Sequence, residues 1–456
     1  MKAPLKIVIV GGGATGVLAA AHLVRHLEAA TAKVVVVEPS AEPGRGVAYA
    51  TDDPRHLLNV RVANMSAFAD RPDHLCGWLR AKRGDNCPSP FSFISRADYG
   101  GYLADLAREA LEAGKLTHAQ ALCVDLEARG DGARLTLSNG ETIDANFVIL
   151  ATGHDTKPTL AGFSADQPWS EGTLDGLDND APILIVGSGL TMIDMALSFE
   201  RRGRRGPITA LSRRGLLPTA HRPATPRDLA AAKVPFGAEL SAQLAWLRDL
   251  ATRCSTEGDD WRSAVDALRP HTQRLWRAMQ IEQRRRFLRH ARVYWDVHRH
   301  RMAPEIEAAT RALIEVGRLR IVAGRVIGAR KIDGEVEVEF ARRGALTTEK
   351  RRFAHLIDCT GLSEAPLQSA NPLLRALLER GVARPDALGI GFDVADDLGL
   401  VGADGRASRR IKAIGPLARA AFWECIAIPD IRLQCAQLAE ALAAVARSDA
   451  AQTVIS

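Results

Sequence analysis

Apolar residues in this chain come in short unbroken runs separated by glycine-rich breaks and by stretches with helical spacing. Ile7, Val8, Ile9 and Val10 run straight into Gly11, Gly12, Gly13, Ala14, Thr15 and Gly16, and helical spacing begins at Val17. A second β-branched run, Val34 to Val37, stops at Glu38. Continuous apolar runs of this length are what strands covered on both faces look like, and their alternation with helices predicts a parallel sheet. The same grammar recurs: Ile183 to Val186 break into Gly187, Ser188, Gly189, Leu190, Thr191 and Met192, and Ile208 to Leu211 end at Ser212. Phe147 to Leu150 and His355 to Asp358 finish alike, in Ala151-Thr152-Gly153 and Cys359-Thr360-Gly361. Further elements are predicted as a helix from Asp98 to Ala113, a strand pair at Cys123–Ala128 and Arg134–Leu137, and another at Ile321–Lys331 and Glu335–Phe340 turned at Asp333-Gly334.

Strand, glycine turn, helix, strand and acid, in that order, form a dinucleotide-binding plan. Gly11 permits the turn, Gly13 lets the backbone approach a pyrophosphate, and Gly16 lets the helix pack on the strand. Ala14 and Thr15 would open that helix, whose positive end takes the phosphates, and Glu38 would bind ribose hydroxyls. In the second copy Gly187, Gly189, Leu190 and Thr191 take the corresponding places, but Met192 stands where the third glycine belongs, so a looser grip is expected. Its ribose-end strand closes with Ser212, Arg213 and Arg214 instead of an acid. Guanidinium groups pair with a 2′-phosphate that an acid would repel, so the second nucleotide is expected to be NADPH; the competing reading of these arginines is a solvated turn. The fold class expected is α/β with two Rossmann-like domains, the second inserted in the first. The boundaries are 1–178, 179–350 and 351–456, with a helical insertion at 223–304.

That insertion lacks the strand pattern of its flanks. Trp246, Trp261, Trp276 and Trp295 recur in it among many arginines. Nucleic-acid binding is disfavoured because no recognised module accompanies the pattern. Two readings remain: tryptophan core with a solvated arginine face, or a cleft in which His298, Arg299 and Arg301 hold an anionic group of substrate or coenzyme. His221 and His290 are weaker candidates for the same cleft. His298 and His300 are two apart, on opposite sides of a helix, and no metal site is expected.

Composition alters this picture little. The chain has 456 residues, enough for two or three domains, and a formal net charge of +6 whose cations are interspersed with acids over most of the length. Its seven cysteines are scattered with no Cys-x-x-Cys pair, which fits a reducing, cytoplasmic setting and excludes the usual dithiol chemistry. No run approaches the ~18 apolar residues of a membrane span.

With these residues assembled, the chain resembles the two-dinucleotide-binding flavoproteins, and within them the bacterial FAD/NAD(P)-binding family related to flavin-containing and N-hydroxylating monooxygenases. The resemblance is carried by Gly11 to Gly16 with Glu38, Leu57 to Asn59 with Met65, Ile149 to His154, Gly187 to Asp194 with Ser212 to Arg214, Trp295 to Pro304, and Ile414 to Arg432. It implies FAD at the first turn and NADPH at the second. Arg45, Asn59, Met65, Thr152, Gly153, Gly415 and Ile431 join the cofactor-binding set, and Asn59, Arg299 and Trp423 are the candidates beside the chemistry. Trp423 reads equally as core. The strand that often ends Gly-Asp in the wider group here ends Gly415-Pro416, so the ribityl contact is expected from elsewhere. Asp430 is read as the cap of a final helix whose free amides would face the flavin. The implied activity is oxygenation of a small molecule through a flavin hydroperoxide, using molecular oxygen and NADPH, with an amine or amino-acid nitrogen favoured. The rivals are a flavin reductase or electron-transfer protein and a cofactor-binding protein without turnover. Neither nucleic acid nor membrane is expected as a partner, and a homo-oligomer is left open.

Overall fold

The computed structural model describes residues 4–28, 30–153, 159–170, 173, 178–361 and 366–455. The chain opens with β1 (Leu5–Val10), α1 (Ala14–His26) and β2 (Ala32–Val37), then α2 (Gly46–Tyr49), α3 (His74–Arg83) and α4 (Arg96–Glu112). β3 (Leu116–Ala119), β4 (Cys123–Arg129), β5 (Gly132–Leu137), β6 (Thr142–Ala145) and β7 (Phe147–Leu150) complete the first pass. The second pass begins with β8 (Ile183–Val186), α5 (Leu190–Arg201) and β9 (Ile208–Ser212). There follow α6 (Leu240–Thr256), α7 (Trp261–Leu268), α8 (Thr272–Ala278), α9 (Ile281–Arg286), α10 (Arg292–Arg299) and α11 (Pro304–Glu315). β10 (Leu319–Ile332), β11 (Glu335–Arg342), β12 (Thr348–Phe353) and β13 (His355–Asp358) end that pass, and α12 (Pro372–Glu379), β14 (Gly399–Val401), β15 (Ala407–Ala413) and α13 (Ile428–Ile455) close the chain.

Two compact units result, the first from Met1–Pro54, Val60–Asp155 and Ser363–Ser456, the second from Arg55–Asn59 and Thr156–Leu362. The second unit is therefore wider than the stretch 179–350 expected for it. The physical reason is pairing: β13 runs parallel to β8 from His355↔Ile183 to Asp358↔Val186, and Asp166 bridges to Ile357. Both flanks are thus bound to the second sheet.

The first unit's main sheet has the order β14-β15-β7-β1-β2-β3, parallel throughout except for β14. Ile7, Val8 and Ile9 are fully buried in its centre, as an unbroken apolar run requires. α1 packs against α4 and α13. β4, β5 and β6 form a separate antiparallel sheet.

In the second unit the order is β12-β11-β10-β9-β8-β13. Here β13-β8-β9-β10 repeats the arrangement β7-β1-β2-β3, so the duplicated grammar is a duplicated sheet. β10 serves twice: it starts parallel to β9 (Leu319↔Ile208) and continues antiparallel to β11 as far as Ile332↔Glu335. The intervening block at 223–304 is helical, α6 to α10, with a π-helical turn at Phe287–Ala291. Val234, Leu268 and Leu275 form a small core there, flanked by Trp246 and Trp295.

Candidate functional sites

The first glycine turn is closed by its own backbone. Gly11 has φ of +101°, and a Cβ on it would stand 2.6 Å from the Ala151 carbonyl oxygen; a Cβ on Gly16 would stand 1.8 Å from that of Gly11. Neither position has room for a side chain. Gly13 is less crowded, yet it lies against Gly46: a Cβ on Gly13 would touch Gly46 Cα at 3.7 Å, and one on Gly46 would stand 3.1 Å from Gly13 Cα. Gly13 opens α1, whose first turn carries no acid and no side-chain cap. The first-turn amides of Ala14 and Thr15 and the positive helix end make the start of α1 a candidate anion-binding end.

Glu38 braces the turn. Its carboxylate accepts from the Gly12 N–H at 2.7 Å and the Ser40 N–H at 3.1 Å, which fixes it at the end of β2 with lone pairs left for hydroxyl groups. The chain's last part closes on the same turn. Gly415, at φ +65°, lies against Thr15, and a Cβ there would be 2.9 Å from the Thr15 hydroxyl. Its N–H donates to Gln434 Oε1 at 3.1 Å and its carbonyl accepts from Cys425 Sγ at 3.0 Å, while Cys435 Sγ reaches the Thr15 carbonyl at 3.8 Å. Arg432 Nη1 donates to the Ser66 carbonyl at 2.7 Å, and Ile431 is buried beside it.

Other expectations for this unit divide. Met65 is buried; Thr152 and Gly153, the latter at φ +72°, follow β7; His154 lies outside the described residues. Arg45 is exposed and paired with Glu42 at 3.3 Å. Trp423 is 3% exposed, with the Arg419 guanidinium 4.8 Å from the centre of its ring. Asp430 is not the cap of the last helix: α13 begins at Ile428, and Asp430 lies inside its first turn. There a carboxylate answers the helix dipole.

Gln434 was missed from sequence, although a signal existed. It interrupts the buried apolar stripe of Ile431, Cys435, Leu438, Ala439 and Leu442 on α13. Gln434 Nε2 and the Tyr99 hydroxyl are buried and have no hydrogen-bond partner among the described residues. The uncapped start of α1 and the Glu38 carboxylate at the end of β2 are residues that fit a flavin dinucleotide.

In the second turn Gly187 has φ of +114°, and a Cβ there would be 2.2 Å from the Cys359 carbonyl oxygen. Before Gly189 there is nothing within 4 Å. This glycine starts α5, again without a cap or an acid, so Leu190 and Thr191 present their amides to an open anion cradle. Met192 is accommodated, wholly buried, where Gly16 stands in the first copy. Ser188 Oγ lies 2.7 Å from Ser212 Oγ and donates to the Leu216 carbonyl at 2.6 Å, and the Gly215 N–H donates to Ser212 Oγ at 3.1 Å. The turn and the end of β9 are thereby stitched together. Arg213 is exposed. Arg214 is not merely solvated: it donates to the Tyr294 hydroxyl at 3.0 Å and stacks 5.0 Å from that ring.

Asn59, expected with the first domain, groups with the second unit. The strap that carries it is tied to α5 through Arg55 to Glu200 at 2.7 Å and His56 to Ser198 at 2.8 Å. His221 Nε2 donates to the Asn59 carbonyl at 3.0 Å, which explains His221.

Two of the three residues expected to line an anionic cleft, His298 and Arg301, have partners within the helical insertion. His298 Nδ1 bonds the Tyr294 carbonyl at 2.7 Å and its ring meets Trp261 edge-on at 4.7 Å. Arg301, 2% exposed, pairs with Asp266. Arg299 is buried at the end of α10, and His290 is exposed on the surface. The arginine and tryptophan interleaving is internal stacking: Arg262 lies 4.4 Å over Trp261, Arg284 5.3 Å over Trp276 and Arg274 4.0 Å over Phe236.

No group of metal-ligating side chains occurs among the described residues, and no helix there is long and apolar enough to cross a membrane. All seven cysteines are unbridged. Burial pushes the Cys123 thiol up to about 12 and holds those of Cys359, Cys425 and Cys435 far above the ordinary value, so none of these four is a ready thiolate.

Residues 8–155 match the family model described as FAD-NAD(P)-binding. By sequence the chain matches no curated protein. Among solved structures, the ornithine N-hydroxylase of Kutzneria sp. 744, with reduced FAD, NADP+ and L-ornithine, aligns at a TM-score of 0.63 and 15% identity over 96% of this chain and 99% of that one. The L-lysine 6-monooxygenase of Pseudomonas syringae aligns at 0.63 and 13% identity over 96% and 98%. The thioredoxin reductase of Lactococcus lactis aligns at 0.52 and 14% identity over 97% and 99%. Residues 8–155 are an FAD-NAD(P)-binding domain, and the chain around them has the fold of the two-dinucleotide-binding flavoproteins.

Proposed function

We propose that the protein is an FAD-dependent, NADPH-consuming monooxygenase that oxygenates a small molecule, with the nitrogen of an amine or amino acid as the favoured target. The observation that carries the reading is the pair of uncapped helix N-termini after Gly13 and Gly189, one beside an acid and one beside two arginines. Two turns of opposite ribose preference suit two different dinucleotides, one resident and one consumed. The length-wide likeness to ornithine and lysine hydroxylases supports the oxygenase class. A dithiol reductase would need a paired cysteine, and none is present.

When bound, FAD would supply acceptance of a hydride from NADPH and activation of oxygen. One oxygen atom goes to the substrate, the other leaves as water, and NADPH furnishes the two electrons. The chain's own residues bind and orient. The amides of Ala14 and Thr15 at the start of α1 receive the flavin dinucleotide's phosphates, and Glu38 holds its ribose hydroxyls. Gly189, Leu190 and Thr191 offer amides to the coenzyme's phosphates, Ser212 a hydroxyl, and Arg213 with Arg214 a clamp for the 2′-phosphate. Asn59 and Arg299 remain the candidates to hold substrate or nicotinamide.

The test is direct. Purified protein is expected to be yellow with releasable FAD, and to consume oxygen during NADPH oxidation in a panel of amines and amino acids, with a hydroxylated product from at least one. A colourless protein that takes up no FAD ends this reading. Dye reduction without oxygen consumption transfers it to a flavin reductase.

A further inference from the structure

Within the helical insertion, guanidinium groups stack on indoles and pair with acids, so a cation and an indole outside that pattern are informative. The segment from Thr225 to Val234, which leads into α6, is fastened at both ends. The Thr225 N–H donates to Asp259 Oδ1 at 3.1 Å and Arg227 pairs with Glu257 at 2.7 Å. Further on, His271 Nε2 donates to the Leu229 carbonyl at 2.6 Å, and Val234 packs with Leu268 and Leu275. Between this segment and helices α6 and α7 lies a cavity of about 400 Å³. Small-molecule sites measure roughly 300–1,000 Å³. Its wall on α6 is Trp246, Leu250 and Arg253, one helical face at i, i+4 and i+7. Its wall on α7 is Ala264 and Ala267, both buried, whose small side chains leave the space.

The charged residues of the lining are Arg227, Lys233 and Arg253 against a single acid, Asp228. Both arginines are oriented by acids, Arg227 by Glu257 and Asp259 and Arg253 by Asp249, and a guanidinium so held keeps N–H groups to donate elsewhere. Lys233, at the exposed rim, has no ion pair or side-chain hydrogen bond among the described residues. Trp246 is equally unclaimed. Arg262 lies 4.4 Å over Trp261 and Arg284 5.3 Å over Trp276, whereas no guanidinium or aromatic ring stacks on Trp246 among the described residues. An unpaired ammonium and an unstacked indole in one pocket match a monoanion with a flat apolar body. We propose that this pocket binds a small aromatic carboxylate, its ring against Trp246 and its carboxylate on Lys233. Asp228 and the acids that hold the arginines disfavour a dianion such as phosphate. Two sources share the proposed chemistry: a free aromatic acid, and an aromatic amino acid whose ammonium group Asp228 receives. The pocket lies wholly in the second unit, so the proposal stands apart from what the glycine turns bind.

Full-length protein is titrated by calorimetry with 3-phenylpropionate, with L-phenylalanine and, as the uncharged counterpart, with 3-phenylpropan-1-ol. Saturable binding of one carboxylate ligand per chain is expected, with a dissociation constant of about 1 mM or tighter. The alcohol should bind at least about tenfold more weakly, the worth of one charge-assisted hydrogen bond. Tighter binding of phenylpropionate supports the proposal with a free acid as ligand. Tighter binding of phenylalanine, lost in Asp228→Asn, supports it with an amino acid. Lys233→Met removes the ammonium and keeps most of the stem; it is expected to weaken the carboxylate about tenfold, leave the alcohol unchanged and preserve the melting temperature. Ala267→Leu fills the cavity and should abolish binding of all three. Absence of saturable binding by either carboxylate overturns the proposal. Binding that survives both Lys233→Met and Ala267→Leu also overturns it, because the ligand then sits elsewhere. Alcohol bound as tightly as acid overturns the anion assignment. If Ala267→Leu does not yield folded protein, Trp246→Ala is read in its place: it removes the wall that the ring lies on, about tenfold weaker binding is expected, and an unchanged dissociation constant overturns the proposal equally.

Discussion

The two glycine turns share a plan and differ in what holds them. In the first, Gly16 touches the Gly11 backbone so closely that no other residue fits, and Glu38 is locked onto the Gly12 N–H. In the second, Met192 fills the place of Gly16, and the turn is stitched instead by Ser188 to Ser212. The first site is braced like one built for a resident group. The second has open space before Gly189 and two arginines after β9, which the proposed function assigns to a coenzyme that arrives and leaves.

The sharpest way to break this comparison is an alanine in each turn. Gly16→Ala drives a methyl into a carbonyl 1.8 Å away, and a loss of about 3 kcal/mol or more, or no soluble protein, is expected by thermal melting. Gly189→Ala meets nothing within 4 Å, so melting should be unchanged while the KM for NADPH rises about tenfold as the methyl intrudes on the phosphate. If both variants melt like wild type, the turns are not distinguished as described. Next in size, Arg213→Ala with Arg214→Ala is expected to cut the preference for NADPH over NADH by about a hundredfold in kcat/KM, the worth of two charge-assisted contacts. An unchanged preference removes the clamp. Smaller still, Tyr294→Ala should raise the KM for NADPH roughly threefold, by freeing Arg214 from a cation-π contact worth about 0.5–1 kcal/mol.

The smallest effect concerns α1 itself. His22 is 2% exposed, bonds the Ala67 carbonyl at 3.1 Å, and has its pKa lowered chiefly by burial. At the corresponding distance from Gly187, α5 carries Ser198 instead. A depressed folded pKa means that His22 supports stability fully above the unfolded value near 6.5 and loses that support as pH falls through the folded value. Melting temperatures between pH 7.5 and 5.5 should drop for wild type and drop less for His22→Asn.

The sheets were legible because their strands are unbroken apolar runs, and the duplication because both runs break at glycines. The insertion's helices were legible from periodicity. What spacing did not show is where long polar side chains go. His298 and Arg301 looked like an anion site, yet each finds a partner inside the insertion, because a guanidinium stacks on indole as readily as it meets phosphate. Asn59 sits in a stretch contiguous with the first unit but is bonded to the second through Arg55 and His56, a tertiary choice with no local mark. Gln434 was visible as a polar break in an apolar stripe, but its partner lies in a different turn of chain, and only the fold brings it to Gly415.

The pairing of β15 with β7, and the packing of α13 on α1, set an order of manufacture. A chain emerging from the ribosome completes the second unit once β13 appears, because nearly all of that unit lies in one continuous stretch. The first unit, although its opening strand is made earliest, must wait for residues beyond 406 to close its sheet and for Gln434 to reach Gly415. On the proposed function, the coenzyme site would then form before the flavin site. Chains cut short near their C-terminus should retain the second site while losing the first.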